Sequence, residues 1–237
     1  MNIYLRLERP EDYRESEEVM KEAFWNHYTP GCDEHYLLHI MRDSPNFVPE
    51  LDYVAISEGK IVGIVVFLKS FILADDGSKK EVLSMGPIAV LPQYQRMGIG
   101  RKLITHTCDL ATQMGYRAIL LCGEPNYYSK VGFVAAEQFG IRTAENKFFE
   151  ALHVYPLYSN RLSMFSRTLS YIFSVTNFSE NPSSSGSSGV NSVAFRYSNG
   201  SIFMILSRNS SFSNSGTRSI KAQYSALTVT NSMIFFE

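Results

Sequence analysis

The pattern of hydrophobic and polar residues predicts a mixed α/β domain in the first 160 residues. Short alternating runs favour strands, whereas apolar residues spaced three and four apart favour amphipathic helices. An early helix is expected after Pro10 and its two acidic neighbours, a typical helix start, and a second short helix is expected at 36–41. The predicted strands lie at residues 3–8, 53–57, 61–68, 71–74, 81–90, 117–122 and 148–155.

The segment from 82 to 122 predicts a strand, a long helix and a second strand in a right-handed parallel crossover. The strands before it are separated by short turns and predict an antiparallel meander. The predicted fold class is therefore α/β (α+β), with a mixed, mostly antiparallel sheet flanked by helices. The long helix is expected at 98–114, with Leu103, Thr107, Leu110, Ala111 and Met114 facing inward.

A Gly-Pro pair interrupts the strand that leads into this helix. Proline has no backbone N–H and cannot complete the hydrogen-bond ladder of a central strand, so Gly86 and Pro87 predict a bulge. Such a bulge is expected to part this central strand from its parallel neighbour at 117–122.

The composition changes near residue 160. Residues 161–237 contain six basic and two acidic residues and are rich in serine, and 181–189 (NPSSSGSSG) has the composition of a flexible linker. We therefore divide the chain into a domain at 1–158 and a Ser-rich C-terminal extension at 159–237. Three interpretations of the extension stay open: a poorly ordered segment, a small β-unit built from strands at 201–206 and 227–236, or a non-native C-terminus.

The bulk composition narrows the class of protein and its compartment. The net charge of −1 indicates neither a nucleic-acid nor a membrane partner. Cys32, Cys108 and Cys122 form no CxxC pattern and are typical of reduced thiols, and the five histidines show no metal-ligand spacing. The N-terminal residues carry no secretory signal, and no apolar run approaches the roughly 20 residues that span a membrane. These features predict a cytoplasmic protein without a metal.

The most informative motif is the loop QRMGIG at 95–100, which lies between a strand and the long helix. Leu103 stands where a dinucleotide-binding fingerprint needs a small residue, and Gly100-Arg101-Lys102-Leu103 fails the pattern of a phosphate-binding Walker loop. A glycine loop at a helix N-terminus directs backbone N–H groups at one point and suits a phosphate. The alternative is a purely structural glycine turn.

The loop, together with a second motif, resembles the GNAT superfamily of N-acetyltransferases, which use acetyl-coenzyme A (acetyl-CoA). Two blocks carry the resemblance: GPIAVLPQYQRMGIGRKLI at 86–104 and YYSKVGF at 127–133. The likeness covers about residues 1–158. It implies a GNAT-like sheet whose bulged central strand opens a gap for the pantetheine arm of the co-substrate.

The residues of the co-substrate site are assigned by the glycine loop and by the resemblance. The resemblance gives the pantetheine arm to the backbone of Ile88, Ala89 and Val90. Asn126 is expected to hydrogen-bond the same arm. Arg96, Arg101 and Lys102 are either further phosphate contacts or a solvated face. The pyrophosphate is assigned to the loop residues Gln95, Arg96, Met97, Gly98, Ile99, Gly100 and Arg101.

The resemblance also implies the catalytic residues. Tyr128 occupies the position of the family's general-acid tyrosine, with Tyr127 as the second choice. The resemblance identifies no base in this chain; Glu124 is the first choice, and Glu22 and a water chain are the alternatives. Because direct attack on the thioester needs no nucleophilic side chain, Cys122 is expected to be structural.

The acceptor is expected to be a primary amine of a small molecule or a protein, and the chain a monomer or homodimer. Two rival hypotheses remain. One is a non-catalytic coenzyme-A-binding module with the same fold, and the other is an acyltransferase that modifies a protein or tRNA and uses its C-terminal extension as a partner arm.

Overall fold

The computed structural model describes residues 2–26, 30–142, 147–148 and 150–158. For four later strands it describes the backbone only: β9 (Tyr171–Ser174), β10 (Ser192–Ser198), β11 (Ser201–Ser207) and β12 (Ala226–Leu227). The earlier strands are β1 (Ile3–Leu7), β2 (Tyr53–Ser57), β3 (Lys60–Ala74), β4 (Lys79–Val90), β5 (Ala118–Cys122), β6 (Val134–Ala135), β7 (Ile141–Arg142) and β8 (Leu152–Pro156). The helices are α1 (Tyr13–Phe24), α2 (Glu34–Met41), α3 (Ile99–Gln113) and α4 (Pro125–Tyr128).

One sheet organises the described domain, with the strand order β1-β2-β3-β4-β5-β8-β6. All neighbours along this path are antiparallel except β4 and β5, which are parallel and are joined through α3. The mixed, mostly antiparallel sheet and the parallel crossover predicted from the sequence are confirmed.

The bulge in β4 lies at the predicted place. Val65 pairs with Ile88 and Phe67 pairs with Met85, so Gly86 and Pro87 together face the single residue between them on β3. Two residues opposite one is the definition of a bulge, and it redirects the strand beyond it. The last three residues of β4 thereby leave the direction set by its first half.

Successive side chains along the central strands are buried on alternate faces of the sheet. On β5, Ile119 and Leu121 join the cluster that packs against the helices, whereas Ala118 and Leu120 join a second cluster on the opposite face. This period of two is what a strand buried on both sides requires.

Three sequence predictions about the elements are wrong. The segments 61–68 and 71–74 form one continuous strand, β3, because β4 pairs with it as far as Leu73. The late strand β8 begins at Leu152 instead of residue 148. Met114, the C-cap of α3, is 43% exposed and does not face the core, whereas Ile104 and Cys108 do.

The C-terminal extension contributes strands to two sheets. The backbone of β9 pairs with β3 and β7, and β10, β11 and β12 form a separate three-stranded sheet. The predicted strand at 201–206 coincides with β11, whereas residues 228–236 and the linker at 181–189 lie outside the described residues. The division of the chain at 158 therefore stays a prediction.

Buried ion pairs connect α1 and the end of α2 to the edge of the sheet. The side chain of Arg42 donates two hydrogen bonds to Glu8, of 2.8 and 3.1 Å, and one of 2.6 Å to Glu17. Asp52 is buried beside Glu8. Burial and the adjacent Glu8 carboxylate raise the pKa of Asp52 far above its ordinary value. In the folded protein this carboxyl group therefore keeps its proton.

Asp52→Asn is expected to stabilise the protein at alkaline pH. The unfolded chain loses the Asp52 proton near pH 4, whereas the folded chain holds it, so stability falls as pH rises from about 4 through the raised pKa. An asparagine amide can still donate to Glu8, but it does not titrate. The variant therefore lacks this dependence of stability on pH. Melting curves between pH 5 and 9 should show the variant gaining on the wild type as pH rises, by about 1 kcal/mol or more at pH 8. Exposed Asp109→Asn is the control, and parallel pH curves for Asp52→Asn and wild type would contradict the assignment.

Candidate functional site

The N-terminus of α3 begins at a glycine with a left-handed backbone. Gly98 is its N-cap and has a left-handed backbone, with φ of 81°, a conformation that glycine adopts without strain. The first helical hydrogen bond runs from the N–H of Lys102 to the carbonyl of Gly98. The amides of Ile99, Gly100 and Arg101 therefore have no acceptor within the helix and point out of its positive end.

Two side chains hold this loop in place. Gln95 donates from Nε2 to the carbonyl of Val90, at 3.0 Å, and so ties the loop to the end of β4. Lys102 donates from Nζ to the carbonyl of Ile3, at 2.6 Å. Lys102 thus joins α3 to β1. Arg96, Met97 and Arg101 are exposed beside the glycines.

The strands β4 and β5 are paired over a short length only. Leu83 pairs with Ile119 and Ser84 with Leu120, and the described ladder between these strands has no further pair. Beyond the bulge, Ile88, Ala89 and Val90 pair with β3 on their other side. The second half of β4 thus has a backbone edge that faces the diverging β5. This edge leads directly into the loop at 95–98.

Tyr128 lies at the end of this gap, in the short helix α4 that follows β5. Its side chain is 1% exposed. The ring contacts Phe133 edge to face, at 5.6 Å between centroids, and Tyr127 at 5.1 Å. Tyr127 is half-buried. Burial raises the pKa of Tyr127 to about 12, and the positive charge of Arg101 partly offsets this. The structure therefore brings Tyr127 near the N-terminus of α3.

Glu124 and Asn126 are joined to each other. Glu124 is the N-cap of α4, and its Oε1 accepts hydrogen bonds from the backbone N–H of Asn126, at 3.2 Å, and from its side-chain amide, at 2.9 Å. One carboxylate oxygen of the candidate base is thus engaged with its own helix. Glu22, the second candidate, lies exposed on α1.

Cys122 ends β5 close to this site. Burial raises the pKa of its thiol to about 12, so the thiolate is scarce at neutral pH. The thiolate is the nucleophilic form of cysteine, and burial disfavours that form at Cys122.

Two residues near Tyr128 were missed by the sequence analysis. Gly123 joins β5 to α4, and His153 on β8 is 3% exposed, with its ring centroid 6.1 Å from that of Tyr128. The period of two along LHVYP at 152–156 assigns His153 and Tyr155 to one face of the strand, which is the only signal for His153 in the sequence.

Within the described ranges, no group of three or more His, Cys, Asp or Glu residues could hold a metal ion. No helix in the same part of the chain is long and apolar enough to cross a membrane.

The acetyltransferase (GNAT) family model matches residues 11–133. This match covers more than half of the chain, and the chain therefore belongs to the GNAT family.

Curated relatives in this family match a shorter stretch. The uncharacterized N-acetyltransferases YhbS and YjhQ of Escherichia coli (strain K12) are 31% identical over 85 residues and 34% identical over 86 residues. Each match covers 36% of this chain, and 49% and 46% of the respective relative. The chain spans about half the length of the curated relatives it matches.

Solved structures support the fold over a longer stretch. The structure of YhbS from Escherichia coli, in complex with CoA, has a TM-score of 0.62 at 23% identity and covers 73% of this chain and 89% of its own. A GNAT family acetyltransferase from Brucella melitensis, in complex with acetyl-CoA, has a TM-score of 0.53 at 26% identity and covers 65% and 88%.

Proposed function

We propose that this protein is an N-acetyltransferase that transfers an acetyl or other short acyl group from acetyl-CoA to a primary amine of a small molecule or protein. The observation that carries the proposal is the glycine-capped N-terminus of α3, which lies at the mouth of the gap between β4 and β5. Membership of the GNAT family and the acetyl-CoA bound by the Brucella melitensis relative support it.

In this proposal, the loop at 95–101 binds the pyrophosphate of the co-substrate. The free amides of Ile99, Gly100 and Arg101 donate to phosphate oxygens, and Gly98 lets the phosphates approach the backbone. Charge-assisted bonds of this kind contribute roughly 1.5–3 kcal/mol each. Gln95 acts indirectly, since it fixes the loop to Val90, and Arg96, Met97 and Arg101 border the bound phosphates.

The pantetheine arm pairs with the open edge of β4 at Ile88, Ala89 and Val90. Its two amides resemble a peptide and can replace the strand that β5 no longer supplies in this region. We assign Asn126, which follows β5, to the same arm. The hydrogen bond from its side-chain amide to Glu124 supports a fixed orientation of that amide.

The acyl transfer is a direct attack. The neutral amine nitrogen forms a bond to the thioester carbon, and the carbon–sulfur bond breaks. The leaving thiolate takes a proton from a general acid, and the nitrogen releases its surplus proton, which restores that acid. We assign the proton taken by the thiolate to the hydroxyl of Tyr128, since a phenol within hydrogen-bond reach of the sulfur can act as a general acid. Tyr127 is the second choice, because the resemblance assigns the general acid to Tyr128 and Tyr127 is its neighbour in the chain.

The amine must lose a proton before it attacks. A lysine-like amine is mostly protonated at pH 7, which costs about 4–5 kcal/mol. We propose that a water chain leading to Glu124 receives this proton, because one Glu124 oxygen is engaged by Asn126 and a direct contact with the acceptor is less available. Glu22 is the alternative endpoint of such a chain.

Release of free thiol from acetyl-CoA tests the proposal. Purified protein should release coenzyme A when it is incubated with at least one member of a panel of polyamines, aminoglycosides, amino acids and lysine peptides. Tight coenzyme binding without turnover on any acceptor would favour the rival hypothesis of a non-catalytic coenzyme-A-binding module.

We further propose that the protein acts in the cytoplasm as a monomer or homodimer. Its three cysteines are free, and burial raises the pKa of Cys32 to about 11 and that of Cys108 to about 12. Protonated, unpaired thiols suit a reducing compartment. Light scattering of the purified protein gives the oligomeric state directly.

The domain boundary at 158 predicts that a chain ending at Tyr158 keeps its turnover of acetyl-CoA. A chain ending at Ser174 is the matched control, because it retains β9 and its pairing with β3. We expect equal kcat and KM for both truncated chains and a higher melting temperature for the longer one. A selective loss of activity on acceptor proteins in both would support the hypothesis that the extension is a partner arm.

A further inference from the structure

The ring of Tyr128 packs directly against the backbone of Gly123, which has no side chain. A Cβ placed on Gly123 would lie 2.2 Å from Cε2, 2.7 Å from Cδ2 and 3.2 Å from Cζ of Tyr128. Ordinary van der Waals contacts of a Cβ are 3.4–4 Å. The phenol ring therefore occupies the place where any other residue at 123 would carry its side chain.

The backbone of Gly123 is fixed through a carbonyl that it shares with His153. The oxygen of Ala151 accepts the N–H of Gly123 at 2.8 Å and contacts Nδ1 of His153 at 2.7 Å. Because a carbonyl oxygen can only accept, Nδ1 carries the proton in this contact. One oxygen thus holds both Gly123 and the imidazole at fixed positions beside Tyr128.

The imidazole of His153 forms another wall around the phenol. Burial lowers the pKa of His153, against the opposing effects of its hydrogen bond to Ala151 and of the charges of Glu124 and Glu150, and so favours the neutral ring. With Gly123, His153 and Phe133 around it, the ring of Tyr128 has little room to shift.

We propose that Gly123 and His153 are positioning residues, which hold the phenol of Tyr128 in the one orientation that reaches the leaving sulfur. The inference rests on the proposed function, in which Tyr128 protonates that sulfur. A general acid must come within about 2.6–3.2 Å of its target, and neither Gly123 nor His153 needs to touch the co-substrate to enforce this.

Gly123→Ala tests the steric half of the inference. The ring must move by roughly 1 Å, and a displacement of that size is expected to lower kcat by about 10- to 100-fold. The Kd for CoA, set by the loop at 95–101, should change by less than about 3-fold. In the Tyr128→Phe background the same substitution should have little further effect on kcat, because both changes act on one hydroxyl.

Gly132→Ala is the matched control. Its Cβ would lie 2.7 Å from Cε2 of Tyr155, and Gly132 has a φ of +98°, so this variant should lose stability at least as much as Gly123→Ala. We expect it to keep a kcat close to the wild-type value, which separates general destabilisation from displacement of Tyr128.

His153→Asn tests the proposed role of His153, and this test remains valid even if Gly123→Ala does not fold. The asparagine amide can replace Nδ1 as the donor to Ala151, whereas the wall beside Tyr128 is lost. We expect kcat to fall by about 10-fold, with unchanged Kd for CoA and unchanged circular dichroism.

The outcomes separate this inference from the proposed function. A reduced kcat in Tyr128→Phe, together with full kcat in folded Gly123→Ala or in His153→Asn, would overturn the inference alone. Full kcat in Tyr128→Phe would overturn the acid role of Tyr128. Losses in Gly123→Ala and Tyr128→Phe that simply multiply in the double variant would also contradict the inference.

Discussion

Gly98→Asp is expected to abolish the binding of coenzyme A. Gly98 has a φ of 81°, where an L side chain is strained, and the new carboxylate would stand at the N-cap among the amides of Ile99, Gly100 and Arg101. It would satisfy those amides itself and repel a pyrophosphate. Loss of two charge-assisted bonds weakens binding by at least about 100-fold, as a calorimetric titration with CoA would show.

Gly115→Asp is the control for this variant. Gly115 also has a positive φ, of 88°, with nothing within 4 Å of an added Cβ. It lies just beyond the other end of the same helix. The two variants introduce the same charge and a similar backbone strain, but only Gly98 borders the proposed phosphate site. Equal affinities for CoA in the two variants would contradict the assignment of the loop.

Tyr128→Phe is expected to lower kcat by 10-fold or more and to leave the KM for acetyl-CoA nearly unchanged. The variant removes one oxygen atom and keeps the ring that packs against Phe133. General acids typically contribute about 10²- to 10⁴-fold to the rate, and an interaction made only in the transition state affects kcat without affecting ground-state binding. Steady-state kinetics with a saturating acceptor amine measures both quantities.

Two further Tyr→Phe substitutions near Tyr128 test whether the loss of kcat is specific to its hydroxyl. Tyr155→Phe removes a phenol oxygen from a ring that packs against the same Phe133, at 5.2 Å between centroids, and should leave kcat close to the wild-type value. Tyr127→Phe distinguishes the two candidate acids. A large loss of kcat in Tyr127→Phe with none in Tyr128→Phe would transfer the acid role to Tyr127.

The local features of the site could be predicted from the sequence because they depend on residues that are neighbours in the chain. A glycine loop before a helix places N-terminal amides at one point, and a Gly-Pro pair inside a strand forces a bulge. Both predictions concern segments of fewer than seven residues, in which backbone chemistry alone limits the possible conformations.

The features that could not be predicted depend on residues far apart in the chain. Lys69 and Ser70 interrupt the apolar run of β3, yet the strand continues because β4 supplies its hydrogen-bond partners from Lys79 onward. The position of Gly123 beside Tyr128 is held by a distant part of the chain. Its support from Ala151 and His153 comes from a strand some 30 residues away.

The sequence alone does not distinguish the two possible roles of Glu124. A carboxylate after a strand can act as a base or as a helix cap, and the sequence is the same in either case. The Asn126 amide, two residues later, resolves it in favour of capping for one oxygen. The candidate base is thereby restricted to its remaining oxygen or to a water bound there.

The amide signals of the loop test the central claim most directly. In a ¹⁵N–¹H spectrum of the full chain titrated with coenzyme A, the amides of Ile99, Gly100 and Arg101 should shift strongly and together, as new hydrogen bonds to phosphate form. The amide of Gly115, beyond the opposite end of α3, should stay in place. Saturable binding that leaves the loop amides unmoved, or no binding at all, would contradict the account.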